Sequence, residues 1–407
     1  MRVLIKNIGQ IFTPHSGKSF GSVIHHKDVH LLIEDGKIDA VLAGISSLPK
    51  TDQVIDAKGK TVLPGFIDAH THPVFWHTRE GEFIMRVQGK SYEEIAAAGG
   101  GIRNSVRRFR EADKESIKNV TRQRIRQFPR FGVTTIEAKS GYGLSPADEI
   151  KALKIINELN EEEALDLLAT FLGAHEVPDE YQNDRRAYID LLINDMIPEV
   201  AERKLARYCD VFCEKDVFSV DESREILLAA QAHGLPARIH ADELFPTGGA
   251  ELAAEIGAKT ADHLVKISNA GIRAMAEKGV IPVLLPGTTF FLGKDQYAPA
   301  RKMLEAGCQV AISTDFNPGS SATQNIQLMW TIAALKMHLL PNELLWATTL
   351  VPARSLDLDN IVGSIEPGKN ADLVVMDIPN LEYIAYHYGV NHTVMTIKQG
   401  EVIYKRS

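Results

Sequence analysis

An α/β fold, a (β/α)8 TIM barrel with a small β-sandwich domain formed from both chain ends, is the architecture that three features of the sequence predict. The central stretch alternates short apolar runs with helical segments, and eight such runs can be distinguished. Ionisable residues, histidines above all, stand at the C-terminal ends of most of these runs, where barrels carry their chemistry. The two chain ends alternate in short strand-like runs, and neither has enough apolar sequence for a core of its own.

At the N-terminal end, residues 1–63, Val3-Leu4-Ile5 and the runs at 29–33 and 38–41 are separated by turn signals such as Asp35-Gly36, which suggests hairpins. Residues 64–361 hold the barrel. Its strands are expected at 65–69, 133–137, 167–172, 210–213, 237–239, 260–261, 281–285 and 309–313, with helices over 148–159, 221–233, 249–256, 269–277, 299–306 and 321–337. Glu93-Glu94-Ile95-Ala96-Ala97-Ala98 reads as helical, so the Gly99-Gly100-Gly101 run behind it is no phosphate loop and fits a flexible cap segment. Residues 362–407 return to strands around Ala371–Met376, 394–398 and 401–404 and complete the small domain.

The composition excludes several classes. With 44% hydrophobic and 24% charged residues in 407, the chain is globular rather than disordered. A net charge of −8 without a basic block argues against nucleic acid. Arg107, Arg108, Arg110, Arg122, Arg124 and Arg126 are interleaved with Glu111, Asp113 and Glu115, the pattern of a solvated helical surface. No apolar run reaches membrane length and no leader pattern opens the chain, so a cytoplasmic address is expected. Cys209, Cys213 and Cys308 are too few for a disulfide framework and read as buried thiols.

The ionisable residues at the strand ends define the chemistry. In Asp68-Ala69-His70-Thr71-His72, strand alternation puts both imidazoles on one side, within reach of one metal. His240 after the fifth strand is the natural third ligand, and Asp315 after the eighth supplies an anionic oxygen. Three imidazoles and a carboxylate suit zinc, with iron, manganese or nickel as alternatives, and such an ion acidifies bound water and polarises a carbonyl. A second ion would need a bridging group, for which Lys139 is the one candidate. Glu243, three residues beyond His240, is placed to carry protons, and His263 to steady an oxyanion. Asp242 and Asp262 suit the orientation of ligands. Arg79 is placed to hold a carboxylate, Tyr142 and His175 to face a small-molecule ligand, and the Asn317-Pro318-Gly319-Ser320 turn to offer donors to an anion at a helix start. His25, His26, His30, His233, His338, His387 and His392 lack converging partners and read as structural or exposed.

These residues lie in motifs that resemble the imidazolonepropionase family of the metal-dependent amidohydrolase superfamily. L-P-G-F-I-D-A-H-T-H-P-V-F at 63–75 carries the His-x-His pair. More specific are Y-E-E-I-A-A-A-G-G-G-I at 92–102, E-A-K-S-G-Y-G-L at 137–144, T-F-L-G-A-H-E-V-P at 170–178, H-A-D-E at 240–243, K-T-A-D-H-L at 259–264 and T-D-F-N-P-G-S at 314–320. The resemblance implies an amidohydrolase-like barrel that hydrolyses 4-imidazolone-5-propanoate to N-formimidoyl-L-glutamate in histidine degradation. It also implies one zinc or iron ion on His70, His72, His240 and Asp315, and a homodimer. Catalytic roles would fall to Glu243, His263 and Asp315, and substrate contacts to Arg79, Tyr142, His175, Glu243, Asn317, Gly319 and Ser320. Trp76-His77-Thr78 departs from the smaller residues usual before the arginine, and Ala138 from the usual Ile. A ring deaminase of the same superfamily is the nearest rival and would release ammonia; a catalytically silent ligand-binding barrel is a more distant one.

Overall fold

The chain, seen here in a computed structural model, begins with five strands: β1 (Arg2–Pro14), β2 (Val23–Glu34), β3 (Lys37–Ala43), β4 (Gln53–Asp56) and β5 (Thr61–Pro64). Eight barrel strands follow: β6 (Phe66–Asp68), β7 (Val133–Lys139), β8 (Asp166–Ala174), β9 (Tyr208–Cys213), β10 (Ala237–Ala241), β11 (Thr260–His263), β12 (Ile281–Leu284) and β13 (Ala311–Ile312). The chain then closes with β14 (Leu373–Met376), β15 (Thr393–Lys398) and β16 (Glu401–Lys405). The structure describes residues 1–44, 47–90, 94 and 99–407. The expected helical stretch at 93–98 therefore lies, Glu94 apart, outside the described residues.

β6 to β13 pair in chain order and always in parallel, the (β/α)8 arrangement expected from the sequence. Parallel strands are covered on both faces, which explains why every residue of β7 is buried although it includes Glu137 and Lys139. The first and last strands meet just beyond their ends. There the Asp315 N–H donates to the His70 carbonyl (3.1 Å) and the His72 N–H to the Phe316 carbonyl (2.8 Å). Below them the Asp68 carboxyl accepts from the Thr314 N–H (3.0 Å) and its hydroxyl. The ring is thus joined at the residues that the sequence marks as ligands.

Local chemistry sets the helix starts. Ser145 caps Pro146–Glu162, Ser219 forms a capping box with Glu222 ahead of Val220–Ala232, and Ser268 caps Asn269–Lys278. One expectation needs correction. The helix placed at 321–337 begins only at Ile326, capped by Asn325, because residues 317–321 fold back on themselves through an Asn317–Ser321 bridge.

The two chain ends supply the second sheet, ordered β16-β15-β14-β5-β1-β2-β3 with β4 also on β1. It has its own core, including Ile5, Ile11, Leu31, Ile33, Val62, Leu373 and Ile397. The β2–β3 hairpin turns at Asp35-Gly36, whose φ values of 48° and 77° are those of a tight two-residue turn. β5 lies between β1 and β14, so neither chain end completes this sheet alone. Gly65 then carries the chain into β6, where a Cβ would lie 2.5 Å from Thr134 Cγ2. Among the described residues no helix is long and apolar enough to cross a membrane.

Candidate metal centre and substrate site

His70, His72 and His240 converge at the C-terminal mouth of the barrel, with one ligand atom from each lying within 4.8 Å of the others, all three residues being buried. The Nε2 atoms of His70 and His72 face each other at 3.2 Å, and Asp315 Oδ1 lies 3.5 Å from both. Burial, reinforced by neighbouring cations and imidazoles, holds His70 and His72 well below the usual imidazole range, so both are neutral. His70 donates from Nδ1 to Asp262 (2.6 Å), which turns its Nε2 lone pair toward His72 and Asp315. Neutral imidazole nitrogens converging beside a carboxylate are the donors that a cation takes. The donor set fits one divalent ion.

Behind the histidines lies a buried charge network that the sequence reading did not assemble. His240 Nδ1 is 3.1 Å from Asp210 Oδ2, and Lys139 Nζ bonds to Asp210 (2.7 Å) and Glu137 (2.9 Å) and lies 3.8 Å from Asp262. Arg238 Nε is 3.0 Å from Glu137. Burial pulls the Lys139 ammonium down, but Asp210 and Glu137 outweigh it and leave its pKa raised. Carbamylation requires a neutral amine. Lys139 therefore stands as an ionic strut behind the histidines, its ammonium already paired with Glu137 and Asp210.

His263 and Asp315, at the ends of β11 and β13, have φ of 71° and 54°, conformations that cost L-residues on the order of 1–3 kcal/mol and gather at functional sites. His263 lies against His240, with ring centroids 5.2 Å apart, and its Nδ1 is 3.6 Å from Glu243 Oε2. Burial, then the negative charges of Asp315 and Glu214, push the Glu243 carboxyl up to about 8. Burial likewise lifts Asp315 to about 6, against hydrogen bonding from Thr288. Tyr142 and His175 complete the wall. His175 stacks on His72 at 5.3 Å and donates from Nδ1 to the Gly141 carbonyl (2.9 Å), and burial holds it near 3, hence neutral.

Arg79, the residue before helix Glu80–Val87, pairs with Glu82 and lies against Gly319, where a Cβ would stand 2.4 Å from Arg79 Nη1. The sequence reading of 317–320 as donors at a helix start is corrected here. No helix begins there, and the Gly319 and Ser320 N–H groups both donate to Asn317 Oδ1 (2.8 and 2.7 Å). The turn instead packs against Arg79 at Gly319. Trp76 packs against the main core while His77 and Thr78 are exposed, so the added bulk before Arg79 is directed elsewhere.

Two further readings change. Asp242 accepts from the N–H groups of Thr247, Gly248 and Ala250, so it caps a loop and helix rather than orienting a ligand. Arg124 is no surface residue: it lies 3.4 Å over the Phe75 ring and bonds the carbonyls of Pro73, Phe75 and Trp76, fixing the segment between His72 and Arg79.

The amidohydrolase family matches residues 61–404 of the chain. The imidazolonepropionase of Alkaliphilus metalliredigens is 45% identical over 411 residues, covering 98% of this chain and 97% of that protein. That of Geobacillus thermodenitrificans is 51% identical over 350 residues, covering 86% and 82%. Among solved structures, guanine deaminase of E. coli superposes with a TM-score of 0.75 at 18% identity over the whole of both chains. The 5-methylcytosine deaminase of Klebsiella pneumoniae gives 0.76 at 19%, covering 100% and 98%. At such identities the likeness is one of fold.

Proposed function

Because the chain belongs to the imidazolonepropionases of the amidohydrolase family, we propose that the residues at its barrel mouth hydrolyse the ring C–N bond of 4-imidazolone-5-propanoate to give N-formimidoyl-L-glutamate. The observation that carries this reading is a three-histidine cluster together with a largely buried arginine seated on the Gly319 turn, the two joined by the segment 72–79. His70, His72, His240 and Asp315 would hold one zinc or iron ion, which when bound acidifies water and polarises the scissile carbonyl. Arg79 holds the propanoate, and Tyr142 and His175 orient the ring. Glu243, its carboxyl pushed up to about 8, takes a proton from the attacking water and returns it to the ring nitrogen as the C–N bond breaks. Neutral His263 steadies the tetrahedral oxygen. Water is thereby divided between the new carboxylate and the freed nitrogen.

Three free, buried cysteines suit a reducing cytoplasm, and a homodimer belongs to the same proposal, to be checked by sedimentation. The deciding experiment follows substrate loss by ultraviolet absorbance in the metal-loaded enzyme and identifies the product by mass. Formation of N-formimidoyl-L-glutamate without ammonia is the expected result; ammonia release would make the protein a deaminase instead. His263→Ala should lower turnover far more than metal content, and equal loss of both would make His263 structural.

A further inference from the structure

We propose that Arg86 is a second cationic contact for the substrate carboxylate, forming with Arg79 a two-guanidinium site in which Glu82 is the internal counter-charge. The inference rests on the reading of the Arg79 pocket as the propanoate subsite. It starts from helix geometry. Arg79, Glu82 and Arg86 are three and seven residues apart, spacings that bring side chains to one face of Glu80–Val87. Both arginines reach the same turn: Arg79 Nη1 stands where a Gly319 Cβ would be, and Arg86 Nη2 donates to the Gly319 carbonyl at 3.0 Å.

Two buried guanidinium donors point to an anion. Arg79 is about nine-tenths buried, yet among the described residues its Nε has no hydrogen-bond partner, and neither has the buried Nη1 of Arg86. A buried donor without an acceptor costs on the order of 1–3 kcal/mol, so two beside one turn call for a ligand that supplies oxygens. Glu82 cannot serve both. One of its oxygens takes Arg79 and the other the Gly101 N–H at 3.1 Å. Among the described residues two guanidiniums stand against one carboxylate, which leaves one positive charge, the complement of a propanoate. Burial and then repulsion from Arg79 lower the Arg86 pKa, a tension that a bound anion relieves. The Phe291 ring, 5.6 Å from the guanidinium carbon, steadies the Arg86 head group.

If Arg86 only props the Gly319 turn, its loss affects every ligand alike. If it binds the carboxylate, its loss affects only carboxylate ligands. The test is calorimetric titration of the metal-loaded enzyme with 3-(imidazol-4-yl)propanoate and with the corresponding uncharged propanamide, for wild type, Arg86→Gln, Arg86→Lys and Arg79→Gln. The expected result is carboxylate binding weakened about tenfold or more in Arg86→Gln, less in Arg86→Lys, with amide binding unchanged. Equal weakening of both ligands, or no change in either, overturns the role of Arg86. A wild type that does not distinguish carboxylate from amide, or an Arg79→Gln enzyme that distinguishes them as well as wild type does, overturns the subsite reading itself, and the Arg86 proposal with it.

Discussion

A single methyl group on Gly319 tests the carboxylate anchor without touching it. In Gly319→Ala the new Cβ would lie 2.4 Å from Arg79 Nη1 and 2.9 Å from its Cζ. Ordinary carbon contacts begin near 3.5 Å, so the guanidinium must retreat by about 1 Å. Gly319 is not among the residues with left-handed φ, so alanine adds no backbone strain, and the obstructing atoms belong to a movable side chain. Stability should therefore stay within about 1 kcal/mol of wild type, the low end of the cost of overpacking, because only the end of one side chain has to move. Activity should not. A displacement of this size in a positioning group costs about 10²-fold, so kcat/KM for imidazolonepropanoate should fall by about that factor, mostly through KM. Steady-state kinetics beside thermal melts make the measurement. A folded Gly319→Ala enzyme within about threefold of wild-type kcat/KM would refute the pose of Arg79 against this turn.

Glu149 accepts from the N–H groups of Gly141 (3.0 Å), Gly143 (2.7 Å) and Leu144 (2.8 Å), and so shapes the loop that carries Tyr142. Glu149→Gln turns a donor toward those donors and should cost about 1–3 kcal/mol in denaturant melts while raising KM; an unchanged KM would detach this loop from binding. Asp262→Asn weakens the bond that orients His70 and should lower metal affinity about 10–100-fold in chelator competition, whereas wild-type affinity would count against that role. Burial acts to raise Glu366, but hydrogen bonds from Ser364 and Ser16 and the charge of Lys369 hold it at about 2. Its folded pKa is thus depressed, so it stabilises above about pH 4.5 and the benefit fades as pH falls toward 2. The melting difference between wild type and Glu366→Gln should shrink over that window, and a constant difference would contradict it.

The barrel was legible because its strands are apolar runs at regular spacing, and the expected strand at 237–239 needed only two residues added to reach Ala241. The ligand positions were legible because His70, His72, His240 and Asp315 stand where those runs end. The charge network was not, since Glu137, Asp210 and Arg238 come from three different strands, β7, β9 and β10, and meet only in the assembled barrel, with β8 lying between β7 and β9. A signal was present: each is a charged residue inside a run that is otherwise apolar, affordable only if it is paired. The turn at 317–320 failed for another reason. Proline, glycine and serine signal a helix start, but a side-chain acceptor, Asn317 Oδ1, took the free N–H groups first.

Electrostatics at the barrel mouth makes the ion part of the folded state. Glu137, Asp210, Asp262 and Asp315 are buried there with Lys139 and Arg238 as the cations, an excess of acid that one divalent ion offsets. Without the ion, burial lifts Asp315 to about 6 from the usual 3.8, and Glu243 to about 8. A carboxyl whose folded pKa is raised binds more protons folded than unfolded, so stability is lost as pH rises between the two values. For Asp315 alone this amounts to on the order of 3 kcal/mol between about pH 4 and 6, and Glu243 extends the decline toward pH 8. Ligation of an ion by Asp315, as proposed above, would hold it in its charged form and remove its share of the decline. Thermal melts of chelator-stripped and metal-loaded protein should therefore diverge as pH rises from about 4 to about 6, the stripped form falling further behind. A gap that stays constant across that range would mean that Asp315 does not face the ion, leaving the three histidines as the whole of the protein's ligand set.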